Sequence, residues 1–125
     1  MMKKRLRNYE EKIVEALKKL PNPLEDKKHN LYIYFDNGRA RSNESRLEHA
    51  ADSNHGLTIS DIERIPKLIK KGKLRIDKTR QKTFNLYLKR YSYTDRQYIK
   101  ISLRIEPNYP KEAHLKTIQI VDKVK

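Results

Sequence analysis

The sequence predicts an α+β domain in which N-terminal helices pack on one face of a four-stranded antiparallel sheet. Two patterns lead to this prediction. Before Gly72, most apolar side chains recur at intervals of three and four residues, which is typical of amphipathic helices. After Gly72, apolar and polar residues alternate in four short runs separated by polar connections, which indicates an antiparallel meander.

The first predicted element is an amphipathic helix whose apolar residues run from Leu6 to Leu20 and which ends at Pro21-Asn22-Pro23. A linker follows to about Asn30. We therefore expect residues 1–30 to form an N-terminal helix and linker, and residues 31–125 to form the main α+β domain. On this division, a chain without residues 1–30 keeps a folded sheet at some cost in stability.

A short strand and two further helices are predicted next. Residues 31–35 are rich in aromatic and β-branched side chains, and a turn follows at residues 36–38. A second helix is expected from Asn43 or Ser45 to Gly56. For a third helix, Ser60 and Glu63 have the spacing of a capping box, and the helix should stop near Gly72. Pro66 inside it predicts a kink or two short pieces.

The four predicted strands lie at about residues 73–76, 83–89, 98–105 and 117–121. Their alternation predicts an aliphatic face, which should pack on the helices, and a second face of Thr, Tyr, Ser, Lys and Arg. His29 and His114 are expected in loops.

The charge of the chain indicates a polyanionic partner. Its 125 residues include 30 Lys and Arg against 16 Asp and Glu, a formal net charge of +14. Residues 73–125 hold 14 of these basic residues and only 5 of the acidic ones. Such an excess costs stability through self-repulsion, so it usually has a function. RNA, DNA, an anionic membrane and an acidic protein are the usual partners.

Other features of the composition narrow the class. The chain has no cysteine, which excludes a disulfide scaffold and a thiolate metal site. The sequence has no run of about 18 apolar residues, so it predicts no membrane span. The first residues are basic, but no apolar stretch of the kind found in a signal peptide follows them. We therefore expect a cytoplasmic protein with no membrane partner.

The polar face of the predicted sheet combines cations, which neutralise phosphates, with tyrosine rings, on which unpaired bases stack. Six residues are candidates for nucleic-acid contacts: Arg75, Lys82, Lys89, Tyr91, Tyr98 and Arg104. The alternative interpretation is an ordinary solvated sheet face. The clustering of charge in this part of the chain favours binding.

Two histidines could support chemistry on that partner. His49 and His55 lie around the end of the predicted second helix, and imidazole is the side chain whose ordinary pKa lies closest to neutral. RNA cleavage by the 2′-hydroxyl needs a base, an acid and a cation beside the phosphate. Alternatively, His49 is solvated and His55 caps the helix. No spacing typical of a metal site is present, and no cofactor is expected.

This part of the chain resembles a known family. The stretch is Arg46-Leu47-Glu48-His49-Ala50-Ala51-Asp52-Ser53-Asn54-His55-Gly56-Leu57-Thr58-Ile59-Ser60-Asp61-Ile62, followed by Ile65-Pro66 and Ile69. It resembles the helical half of phage-associated nuclease domains of the barnase–EndoU–colicin–RelE superfamily, over about residues 31–122. The resemblance implies a four-stranded antiparallel sheet and an active site that joins a helical His to polar sheet residues. His49 and His55 match the helical positions, and Lys100, Thr117 and Tyr87 match the sheet positions.

The resulting hypothesis is a metal-independent endoribonuclease, either toxin-like or associated with a phage or mobile element. His55 would be the main acid or base, with His49 second. Lys100 would stabilise the phosphate, while Thr117 and Tyr87 would supply hydrogen bonds. Its partners would be RNA and an acidic antitoxin or immunity protein. Two alternatives stay open: a non-catalytic RNA- or DNA-binding protein, and a protein-interaction module bound by an acidic partner.

Overall fold

A computed structural model describes residues 8–35, 56–90, 97–105 and 111–125. Within these ranges the chain forms α1 (Asn8–Lys18), β1 (Leu24–Asp26), β2 (Leu31–Tyr34), α2 (Ile59–Leu68), a 3-10 helix (Ile69–Lys71), β3 (Lys73–Ile76), β4 (Thr83–Lys89), β5 (Tyr98–Ile105) and β6 (Lys111–Val121). The helix expected between Asn43 and Gly56 falls almost entirely outside the described residues. No helix within them is long and apolar enough to cross a membrane.

The described strands form one curled sheet of six strands in the order β1-β2-β6-β5-β4-β3. Strands β3 to β6 form an antiparallel meander, whereas β2 runs parallel to β6 and β1 antiparallel to β2. The predicted four-stranded, purely antiparallel sheet is therefore wrong. The sheet is mixed, and it is two strands wider than the sequence pattern indicated.

Local pattern predicted β2 as a short strand at residues 31–35 but could not place it in the sheet, and it did not predict β1. Strand β1 has only three residues, two of them acidic, so its composition is that of a loop. Strand β2 pairs with residues 111–114 of β6. Between this part of β6 and its second half, the alternation of apolar and polar residues is interrupted. Ser102 pairs with Thr117 but Leu103 pairs with Leu115, so Lys116 is an extra residue in a β-bulge. Because the bulge changes which residues alternate, the sequence pattern of residues 117–121 does not extend to residues 111–115, and the first half of β6 was not predicted.

Both helices contribute to the core on the aliphatic side of the sheet. In α1, the side chains of Ile13 and Leu17 are 1% and 0% exposed. They belong to the same cluster of buried residues as Ile62 and Ile65 of α2 and the aliphatic residues of β4 and β5. Residues 8–30 therefore contribute to the core that the sheet uses, and the division proposed at residue 30 stays a prediction.

The start of α2 differs from the sequence expectation. Thr58, not Ser60, caps the helix: its hydroxyl accepts the backbone N–H of Asp61 at 3.1 Å, and the Asp61 carboxylate accepts the backbone N–H of Thr58 at 3.0 Å. Thr58 has the extended backbone that an N-cap requires, whereas Ser60 already lies inside the helix. The α-helix continues through Pro66 to Leu68 and only then tightens into the 3-10 turn, which ends before Gly72.

Candidate nucleic-acid interface

The side of the sheet opposite the helices is called the polar face. Strand register determines its members, because side chains of paired residues project to the same side. They are Tyr32 and Tyr34 of β2, Lys73 and Arg75 of β3, Thr83, Asn85, Tyr87 and Lys89 of β4, Tyr98, Lys100, Ser102 and Arg104 of β5, and Glu112, His114, Thr117, Gln119 and Val121 of β6. Five of these residues are cationic and one, Glu112, is acidic, so this surface carries a net positive charge.

Three of the five proposed catalytic residues share this face. Tyr87 of β4 lies directly opposite Lys100 of β5, and Thr117 of β6 lies opposite Ser102, two residues further along β5. Directly opposed residues in an antiparallel pair have Cβ atoms about 4.5–5.5 Å apart. The structure therefore brings these three sheet residues into one neighbourhood.

A pocket of about 410 Å³ opens beside Lys100. It is lined by Tyr87, Lys100, Gln119, Val121, Asp122, Lys123 and Lys125. Three lysines against one aspartate give the lining of this pocket a net positive charge. Tyr87 is only 2% exposed, so its ring offers no free surface for a base. A hydrogen bond remains the role open to it.

A hydrogen-bond network underlies the pocket side of the sheet. The hydroxyl of Ser102 donates to Asn85 Oδ1 at 2.8 Å, and Asn85 Nδ2 donates to Asp77 Oδ2 at 3.3 Å. Asp77 Oδ1 also accepts the backbone N–H and the hydroxyl of Thr79 at 2.9 and 2.7 Å. The bonds from Thr79, assisted by Asn85 and by the positive charge of Lys100, lower the pKa of Asp77 to about 2.

We expect Asp77→Asn to change how stability depends on pH. Because the pKa of Asp77 in the folded protein is below its ordinary value of 3.8, its carboxylate stabilises the fold above about pH 4. This contribution is lost as the pH falls from about 4 to about 2. Urea unfolding at a series of pH values should show a constant gap between the wild type and the variant above pH 5, shrinking toward pH 2. A gap that does not change with pH would contradict this assignment.

The other proposed contact residues are more dispersed. Lys89 and Tyr98 face each other at one end of the β4–β5 pair, and Arg104 lies opposite Thr83 near the other end. Arg75 is exposed on the outermost strand, β3. Lys82 lies in the β3–β4 connection with a positive φ of 55°, beside the polar face rather than on it. Tyr91 lies outside the described residues.

His49 and His55 also lie outside the described residues, but the residue after His55 is placed. A Cβ atom on Gly56 would lie 3.7 Å from Cβ of Ile120, on the helix side of β6. Strand β2 covers only residues 111–114 of β6, so within the described chain residues 115–121 form an open edge of the sheet. Gln119 and Val121, which flank Ile120, line the basic pocket. The chain therefore resumes after His55 against the helix side of β6, which is the side of the sheet opposite Lys100 and the basic pocket.

Strand pairing reveals one site that sequence reasoning missed. His114 lies in β6 and not in a loop. The sequence pattern did not indicate this, because the bulge at Lys116 interrupts the alternation of the strand. Its ring stacks on that of Tyr34 with centroids 5.2 Å apart and planes 15° apart. Glu112 Oε2 lies 3.5 Å from His114 Nε2. His29, by contrast, bonds the buried Asp26 at 2.7 Å, within the turn between β1 and β2.

A second and larger cavity does not fit an anionic ligand. This groove of about 720 Å³ lies between α1 and α2, on the other side of the molecule. Its charged lining residues are Glu11, Glu15, Glu63, Lys12 and Lys19, so acidic and basic groups nearly balance. The basic pocket on the polar face is the better site for a phosphate.

The described residues contain no cluster of three His, Asp or Glu side chains that could hold a metal ion. Comparison of the chain with protein-family models, curated proteins and solved structures gave no match. Membership of the nuclease superfamily therefore stays a proposal.

Proposed function

We propose that the protein binds single-stranded RNA through the polar face of its sheet. The observation that carries this proposal is the basic pocket, in which Lys100, Lys123 and Lys125 surround a space of about 410 Å³. Ammonium groups gathered around a pocket bind phosphate oxygens and release the counterions of the nucleic acid. Further cations, Lys73 and Lys89 among them, extend the same surface away from the pocket.

Single strands suit this surface better than a duplex. The cations share the face with tyrosines and a histidine, and aromatic rings bind bases only when the bases are unpaired. An acidic protein would also be attracted by the cations but would not need the rings. Oligoglutamate is therefore a useful competitor, because it matches RNA in charge sign and lacks bases.

We expect Lys100→Ala to weaken RNA binding more than Lys67→Ala, which removes the same charge from the exposed side of α2. Fluorescence anisotropy with a labelled RNA 12-mer should show affinity falling steeply with salt. Loss of one phosphate contact should reduce the slope of log affinity against log salt by about 0.7. Equal effects of the two substitutions, or affinity that does not depend on salt, would contradict the proposal.

The second candidate function is cleavage of the bound RNA as a metal-independent endoribonuclease. One observation favours it: Lys100, Thr117 and Tyr87, three of the five candidate catalytic residues, share the polar face. In this mechanism a 2′-hydroxyl loses its proton and attacks the adjacent phosphorus. The 5′-oxygen leaves with a proton, and the product carries a 2′,3′-cyclic phosphate.

The roles in that reaction follow from the chemistry of each side chain. His55, with His49 second, would transfer protons near neutral pH. Lys100 would stabilise the negative charge that develops on the phosphate, and Thr117 and Tyr87 would donate hydrogen bonds to its oxygens. A toxin-like or phage-associated setting in the cytoplasm, with an acidic antitoxin or immunity protein, belongs to this candidate.

A further inference from the structure

The stacked rings of Tyr34 and His114 lie on the polar face, at a distance from the basic pocket. They meet because β2 is the parallel neighbour of β6 and pairs Tyr34 with His114. The His114 side chain is 38% exposed, and Tyr34 is half-buried. Two parallel rings are thus presented on the open side of the sheet, and the Glu112 carboxylate borders the imidazole.

The position of this pair relative to the pocket can be read from the strand register. His114 lies opposite Arg104, and Arg104 is four residues along β5 from Lys100. At about 3.3 Å per residue, the stacked pair and the pocket are about 13 Å apart along the strand. Ser102 and Thr117 occupy the stretch between them. Ser102 is buried and Thr117 is half-buried, so the path along the surface from the pocket to the rings passes over Thr117.

We infer that Tyr34 and His114 form a subsite that stacks an unpaired nucleobase of the RNA whose phosphate occupies the pocket beside Lys100. This inference rests on the proposed function. Because the two rings face each other, a base would extend the stack on an outer ring face, and such stacking is tolerant of sequence because every base has a π-face. The basic surroundings supply charge complementarity to the phosphates on either side of that base.

With this subsite, the RNA would be bound at two places, the basic pocket and the stacked rings. The pocket recognises the charged backbone, and the rings distinguish a strand with bases from a bare polyanion. Tyr34 and His114 should therefore govern the preference for bases, while Lys100 should contribute only to the dependence on salt. The two contributions can be separated by changing the ligand as well as the protein.

The test uses two RNA 8-mers of equal charge, one of uridines and one of abasic ribose phosphates. Wild-type protein should bind the uridine strand at least about fivefold more tightly than the abasic strand. Tyr34→Leu should abolish this preference without changing the salt slope, and Tyr34→Phe, which keeps the ring, should retain it. A strand carrying 2-aminopurine should lose fluorescence on binding to the wild type and Tyr34→Phe, but much less on binding to Tyr34→Leu.

Thermal unfolding verifies that each variant is folded, and His114→Leu replaces Tyr34→Leu if the latter is not. Equal, salt-dependent affinity for the two strands would overturn the stacking subsite and leave the proposed function intact. A base preference that survives in folded Tyr34→Leu and His114→Leu would also overturn the subsite. No salt-dependent binding of either strand would overturn the proposed function and the subsite together.

Discussion

Under the proposed cleavage mechanism, His55→Ala is expected to reduce RNA cleavage by about 10²–10⁴-fold, the usual contribution of a positioned proton-transfer group. RNA affinity should hardly change, because most of it comes from the many Lys and Arg side chains of a chain with net charge +14. The assay is cleavage of a labelled RNA in a chelating buffer, with affinity measured in parallel. Activity should persist in the chelator, since the proposed mechanism uses no metal.

Lys100→Ala distinguishes charge stabilisation from proton transfer. Its ammonium group would act on the charge that develops during the reaction, so cleavage should fall strongly while binding falls only slightly. Lys67→Ala is the matched control, because Lys67 is exposed on α2 and has no contact with the polar face.

The choice of substrate provides a further control. DNA should resist cleavage because it has no 2′-hydroxyl to act as the nucleophile. Cleavage of DNA, or activity that disappears with the chelator and returns with a divalent metal, would contradict this mechanism even if the protein proved to be a nuclease. RNA binding without cleavage by the wild type would leave the binding proposal as the function.

Removal of residues 1–30 is expected to abolish cooperative folding. This segment contributes Ile13, Leu17 and Leu20, together with Leu24 of β1, to the core. Each fully buried aliphatic side chain stabilises a fold by about 1.5–3 kcal/mol. Their combined loss is comparable with the roughly 5–15 kcal/mol that stabilises a typical domain. Circular dichroism during thermal and urea unfolding would measure the result.

A single substitution provides a gentler version of that test. Leu17→Ala in the full chain should lower the free energy of unfolding by about 2–5 kcal/mol, because Leu17 is completely buried. Lys18→Ala is the adjacent control, since Lys18 is exposed and its ion pair with Glu15 lies at the surface. A truncated chain that unfolds cooperatively, together with a mild effect of Leu17→Ala, would instead establish the division at residue 30.

Local sequence pattern located the parts of the sheet in which the alternation is regular. Strands β4 and β5 occupy residues 83–89 and 98–105, as alternation predicted, because neither contains an extra residue. The same parity placed Tyr87, Lys100 and Thr117 on one side of the sheet. The alternation of side chains along a strand does not reveal which strands are neighbours when their pairing spans a long stretch of chain. Strands β2 and β6 pair across about 80 residues.

The pairing of Tyr34 with His114, which the sequence did not reveal, depends on that distant pairing of strands. Tyr34 and His114 are far apart in the chain, and only the parallel register of β2 with β6 brings their rings together. The bulge at Lys116 made His114 resemble a loop residue. The identity of the α2 cap was ambiguous for a different reason, since Thr58 with Asp61 and Ser60 with Glu63 have the same spacing.

Lysine footprinting tests the location of the RNA site most directly. The protein is acetylated with and without a single-stranded RNA 12-mer, and each lysine is quantified by mass spectrometry. RNA should protect Lys73, Lys89 and Lys100 of the polar face and leave Lys18, Lys67 and Lys70 of the helical side reactive. Equal protection on both sides, or protection confined to the helical side, would contradict the assignment of the polar face as the RNA-binding surface.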